Sequence, residues 1–179
     1  TVATFSSPSG GSSAPLFTVD WSSNSVTGGW DDSQNNLTLE FMWPLAGTFE
    51  NVWFEMDGLV ITSQPVPLEY GITSGGTINF YEDGTATDPL MTITFASGYV
   101  TKFGFGSDDV VFSGSMIPYT LSEEQFSFSF AAIQSLKKKN GFEAFSATAA
   151  FNSSAIPEPA TLAILGTGAL LVLGRRKRI

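Results

Sequence analysis

Large apolar residues fall at alternate positions along much of this chain. In residues 37–43, LTLEFMW, Leu37, Leu39, Phe41 and Trp43 share one side while Thr38, Glu40 and Met42 share the other. That period of two marks a strand with one buried face. The pattern returns in NVWFEM (Val52, Phe54, Met56), TINFYED (Ile78, Phe80), MTITFA (Met91, Ile93, Phe95) and FSFSF (Phe126, Phe128, Phe130). Turn-forming residues punctuate these runs: Thr27-Gly28-Gly29, Pro65 and Pro67, Ser74-Gly75-Gly76, Asp83-Gly84, Ser97-Gly98, Ser113-Gly114 and Asn140-Gly141. Short strands between glycine-rich turns predict an all-β domain, a sandwich or barrel of about eight to ten antiparallel strands. Of the two, a jelly-roll-like β-sandwich is expected.

Residues 122–139 allow two readings. Ser122 with Gln125 resembles a capping box, and Glu123, Glu124 and Lys137–Lys139 would suit the two ends of a helix. A helix would turn Phe128 away from Phe126 and Phe130, whereas a strand keeps all three together, so a strand is expected. Residues 1–15 are rich in Ser, Gly and Pro and poor in large apolar side chains, the composition of a flexible arm. The expected division is an arm at 1–15, an extracellular all-β domain at 16–152 and a C-terminal segment at 153–179.

Composition narrows the chemistry. All but one of the 17 acidic residues precede the last 24 positions, where only four lysines (Lys102, Lys137, Lys138, Lys139) oppose them. Such a body repels phosphate backbones, which argues against nucleic acid as a partner. With no cysteine or histidine, thiolate and imidazole metal ligation and Cys–His or Ser–His catalysis are excluded. The chain starts at Thr1 rather than Met, in keeping with removal of a signal peptide.

Within the body, Glu55-x-Asp57 resembles the start of the Glu-x-Asp-x-x-Glu strand of laminarinase-type jelly-roll glucanases. The position that would supply the acid is Val60. Retaining hydrolysis needs two carboxyls about 5 Å apart; without the third residue the pair reads as solvent-facing carboxylates, and no catalytic residue is assigned. Acidic and amide residues cluster at Asp31–Asn36, at Glu82-Asp83 with Asp88, and at Asp108-Asp109. Calcium takes six to eight oxygen ligands, but solvated turns account for these residues more simply. No cofactor or metal is assigned, with calcium the secondary reading. Of the four tryptophans, Trp43 and Trp53 sit in apolar-patterned segments. Trp30, between Gly29 and Asp31, reads as a loop residue, and Trp30, Asp31 and Asp32 form the candidate ligand surface.

The C-terminal segment is the most specific. Pro157-Glu158-Pro159 precedes an uncharged apolar run, 160–174, and the basic quartet Arg175, Arg176, Lys177 and Arg178. The two prolines favour an extended, accessible strip. As a helix the run reaches about 22 Å, a short transmembrane span, and the basic quartet places its end on the cytoplasmic side. This three-part order resembles the PEP-CTERM sorting signal of bacterial exosortase substrates. The resemblance implies a single C-terminal transmembrane helix and an inner-membrane-anchored precursor in a Gram-negative-type bacterium. It also implies recognition at Pro157-Glu158-Pro159 by an exosortase-type membrane transpeptidase, then delivery to the cell surface or extracellular matrix. The resulting expectation is a non-enzymatic surface or matrix protein associated with exopolysaccharide or biofilm. A carbohydrate-binding module is the alternative and a degenerate jelly-roll glycosidase the third reading.

Overall fold

The computed structural model describes residues 3–6, 16–30, 37–42, 45, 47–82, 87–117, 121–136 and 143–154. These form eleven strands: β1 (Ala3–Ser6), β2 (Phe17–Asp20), β3 (Ser25–Trp30), β4 (Leu37–Phe41), β5 (Gly47–Met56), β6 (Leu59–Val66), β7 (Tyr70–Tyr81), β8 (Met91–Thr101), β9 (Gly104–Ser113), β10 (Leu121–Ser135) and β11 (Ala144–Ser154). Among the described residues there is no helix, and so none long and apolar enough to cross a membrane. The transmembrane helix expected at 160–174 lies outside the described residues.

All pairings are antiparallel, and they close into an eight-position barrel. Strands β7 to β11 each fill one position, pairing in chain order. The other three positions are each built from two strands laid end to end. β11 pairs with β2 along Ala144–Ala147 and with β1 at Phe151 and Asn152. β2 and β1 pair onward with β3 and β4. β3 and β4 in turn face β6 and β5, with β3 touching both. β5 and β6 then both pair with β7. Each wall position therefore neighbours its successor in the chain, an up-and-down barrel closed by β11 against β1 and β2.

This replaces the jelly-roll-like sandwich expected from the sequence. Alternation buries one face of a strand in either architecture. What separates them is the long-range pairing of the first strands with the last, which a period of two does not carry. Ala3–Ser6, within the segment expected to be a flexible arm, is a barrel strand, and its Ala3 side chain is buried. The strand expected over the Phe126–Phe130 run forms as β10, and Phe126 and Phe128 point inward.

Three sequences that resemble turns sit mid-strand: Thr27-Gly28-Gly29 lies inside β3, Ser74-Gly75-Gly76 inside β7 and Ser97-Gly98 inside β8, and Pro65 likewise lies within β6. On β7 the buried positions are Gly71 and Thr73, then Ile78 and Phe80; on β8 they are Met91, Ile93 and Phe95, then Gly98 and Val100. The in–out alternation thus shifts by one residue on both strands at the same level, because Ser74 pairs with Ser97. On β9 the shift falls at Asp108 and Asp109, both exposed between buried Ser107 and Val110, where the register against β10 slips. Such a shift of alternation is how a barrel wall accommodates the curvature that closure requires. A Cβ on Gly75 would run into the carbonyl oxygens of Phe95 and Ala96, so only glycine fits.

The interior is filled with aromatic rings. Phe17 packs on Phe128 at 4.9 Å between centroids, on Phe130 at 5.2 Å and on Phe54 at 5.9 Å. Phe128 also meets Phe151 at 5.0 Å and Phe126 at 5.7 Å. An eight-stranded barrel has room either for packed side chains or for one small ligand, and phenylalanines occupy the space here. Each buried ring contributes about 1.5–3 kcal/mol of burial free energy.

Candidate functional site

With the interior occupied, the surface depressions are where a ligand can meet this barrel. One of them, about 520 Å³, lies on the outer wall where β3 crosses from β6 to β5, and Gly29, Glu55, Asp57, Thr77 and Asn79 line it. Register explains the assembly: Gly29 pairs with Glu55, Glu55 with Asn79 and Asn79 with Thr92. Paired residues present side chains to the same face, so one row of polar groups crosses three wall positions. Gly29 has φ +139, a conformation that favours glycine, and with no side chain it leaves the groove open beside Glu55.

The polar groups are held in place. Thr92 Oγ1 donates to Asn79 Oδ1 at 2.9 Å, which leaves the amide nitrogen as the group Asn79 can offer. Thr77 N donates to Asp57 Oδ2 at 3.0 Å while Asp57 N donates to Thr77 O at 3.2 Å. Asp57 therefore fastens the β5–β6 junction to β7. Next to Glu55 on the outer face, Trp53 stacks on Tyr81 at 4.5 Å with planes 18° apart, and Tyr81 Oη donates to Glu55 Oε2 at 3.4 Å. Partial burial, followed by the charge and hydrogen bond of Glu55, raises the Tyr81 hydroxyl pKa above its ordinary 10.0.

Glu55 and Asp57 thus share one groove, as their spacing predicts, but Asp57 is engaged by backbone. Val60, at the position of the missing carboxylate, is 56% exposed on β6. A second depression of about 110 Å³ lies between Tyr99, Asp108, Gln125, Ser127 and Asn152. There, burial first and then the charges of Asp108 and Tyr70 raise the Tyr99 hydroxyl pKa.

The other sequence candidates separate. Trp30 is the last residue of β3, paired with Phe54; it is a strand residue and not a loop residue, because β3 follows β5 to its end. Asp31, Asp32, the rest of the Asp31–Asn36 cluster, Trp43, Lys137–Lys139 and Asn140-Gly141 lie outside the described residues. Trp21 is buried. Glu82 and Asp88 are exposed, and Asp108-Asp109 marks the shift of alternation on β9. Among the described residues no group of three or more acidic side chains could hold a metal ion. The Trp53–Tyr81 pair and Asn79 were missed because cross-strand register brings them to Glu55. The alternation in both strands was the available signal.

Residues 155–178 match the family model of the PEP-CTERM protein-sorting motif. No curated protein and no solved structure matches the chain. The motif takes in Pro157-Glu158-Pro159, the apolar run and the basic quartet, as expected from the sequence, and it follows directly on the last barrel strand. It supports export, a membrane-anchored precursor and sorting by an exosortase.

Proposed function

We propose that this chain is an exported surface or extracellular-matrix protein whose barrel is a non-catalytic module associated with exopolysaccharide or biofilm. The observation that carries the reading is the PEP-CTERM motif at 155–178, placed immediately after a barrel packed with phenylalanine. Such a barrel suits a durable surface module, because burial of its apolar side chains stabilises it. Exosortase is its processing partner, Pro157, Glu158 and Pro159 form the recognition strip, and Arg175, Arg176, Lys177 and Arg178 hold the cytoplasmic end of the span. Replacing Pro157, Glu158 and Pro159 together with alanine is expected to leave export intact and to keep a tail-bearing form in the membrane fraction. Release of that variant at the parent level, read by mass spectrometry of the surface fraction, would overturn the reading.

One observation favours the second reading, a carbohydrate-binding module. The stacked Trp53–Tyr81 pair borders a groove offering a carboxylate at Glu55 and an amide at Asn79, groups that suit sugar rings and hydroxyls. The candidate surface at Trp30, Asp31 and Asp32 begins on the same strand that lines this groove at Gly29. Affinity electrophoresis of the parent in gels containing host exopolysaccharide is expected to show retardation that Trp53→Ala abolishes. Equal mobility of the two proteins would remove this reading.

A further inference from the structure

The groove on the outer wall has a definite sign of charge. Glu55 and Asp57 bring two carboxylates to it, and both residues are exposed. Lys102 is the only lysine or arginine among the described residues. It follows Thr101, whose partner Tyr70 lies roughly 20 Å along β7 from Thr77. That is beyond the ~10 Å over which salt lets exposed charges act on one another. Around the groove stands a body in which all but one of the 17 acidic residues oppose four lysines. A ligand therefore approaches through a negative field.

The arrangement of side chains adds a second requirement. Trp53 and Glu55 share the outer face of β5, and their partners on β7 are Tyr81 and Asn79. The two cross-strand pairs make one patch, apolar at one end and polar at the other, with about 7 Å between the ends. Trp53 and Tyr81, stacked at 4.5 Å and only partly buried, supply a flat apolar surface. Tyr81 Oη donates to Glu55 Oε2 at 3.4 Å and so holds the carboxylate beside the rings. Asn79 offers its amide nitrogen on the other side. A ligand that satisfies the whole patch has a ring to lie on the aromatic pair, hydroxyls for Asn79 and a positive group for Glu55.

These features rank the classes of sugar polymer. One carrying uronate, phosphate or sulfate groups meets like charge and is repelled. A neutral one takes the Glu55 carboxylate out of water in return for neutral hydrogen bonds alone. One carrying protonated amines pairs with that carboxylate, and such a charge-assisted bond is about twice as strong as a neutral one. We infer that the groove selects a polysaccharide with free amino groups, a deacetylated amino-sugar polymer, seating an ammonium on Glu55 and a sugar ring on Trp53 and Tyr81. The inference rests on the carbohydrate-binding reading above and names its ligand class. Glu55 sets the specificity, and Trp53 supplies affinity common to any sugar.

The test uses the full-length chain in non-ionic detergent at mildly acidic pH, titrated calorimetrically with tetramers of glucosamine, of N-acetylglucosamine and of lysine. The parent is expected to bind the glucosamine tetramer about tenfold or more tightly than the N-acetylated one, and more tightly than tetralysine, which has the charge without the ring. Glu55→Gln is expected to lose that tenfold preference and to keep its affinity for the N-acetylated tetramer, whereas Trp53→Ala weakens both sugars. Glu69→Gln makes the same change of charge at the far end of β7 and is expected to alter neither. Equal binding of the two sugars by the parent overturns the inference, as does tetralysine matching glucosamine or Glu69→Gln matching Glu55→Gln. If the two sugars bind equally and Trp53→Ala abolishes both, the carbohydrate reading stands and the amine preference alone fails. If no tetramer binds, the inference fails, and retardation in host exopolysaccharide judges the carbohydrate reading separately.

Discussion

The two sides of the barrel wall are built differently. From β7 to β11 each position is one long strand. From β1 to β6 three positions are each assembled from two shorter strands. The continuous side supplies Phe80, Phe105, Phe126, Phe128 and Phe151 to the core and pairs in long ladders, such as β7 with β8 from Tyr70↔Thr101 to Phe80↔Met91. The split side carries the groove at the β5–β6 junction, and its first strand pairs with β11 at Phe151 and Asn152. The division is one of degree, since the split side also sends Phe17 and Phe54 into the core and the continuous side carries the depression between Tyr99, Asp108, Gln125 and Asn152.

The sharpest way to break this comparison is Phe128→Ala, on the continuous side. Phe128 touches Phe17, Phe54, Phe105, Phe126 and Phe151, and its truncation is expected to cost about 3–5 kcal/mol, read as a shift in the urea midpoint. If Phe128→Ala costs no more than removal of residues 1–6, the assignment of stability to the continuous side fails. Next is Ser153→Ala, which leaves the N–H and C=O of Ala3 without their buried partner. It is expected to cost about 2 kcal/mol and to raise hydrogen exchange in β1 before β10. Gly75→Ala tests the line where alternation shifts, with an expected loss of about 1–3 kcal/mol by the same urea measurement; a neutral result would show that the wall yields there.

The smallest effect is alkaline. Tyr81 and Tyr99 have pKa values raised above 10.0, so above that pH the folded protein holds protons that the unfolded chain has released. Their contribution to stability is complete below about pH 10 and declines as pH rises toward the folded values. A series of melting temperatures from about pH 9 to pH 11 should fall, and Glu55→Gln should flatten the fall by removing one cause of the Tyr81 shift.

Much of the strand content was legible in the sequence. Residues such as Val52, Phe54, Ile78, Phe80, Ile93 and Phe126 alternate, and they face the core. The errors have a shared physical origin in glycine. Ser74-Gly75-Gly76 and Ser97-Gly98 carry the composition of turns, yet the same lack of side chain serves a bend within a paired strand, and only the partner strand decides which. Barrel closure was illegible for a related reason: Ala3 meets Ser153 across almost the whole domain, a contact with no local signature. Of the groove, Glu55 and Asp57 could be placed on one face from spacing alone. Asn79 and the Trp53–Tyr81 stack required the β5–β7 register. The sorting motif needed no fold at all, because its three parts are consecutive in the chain.

The tail leaves the barrel from β11, and that placement has a mechanical consequence. A pull applied through residue 155, as when a secreted protein is tethered at one end and drawn by its surroundings at the other, acts along the axis of β11. The ladder from Gln125↔Ser154 to Ser135↔Phe145 lies at right angles to that force, so its bonds share the load together instead of parting one after another. The tethered strand is thus loaded in shear, the direction in which a β-sheet resists extension best.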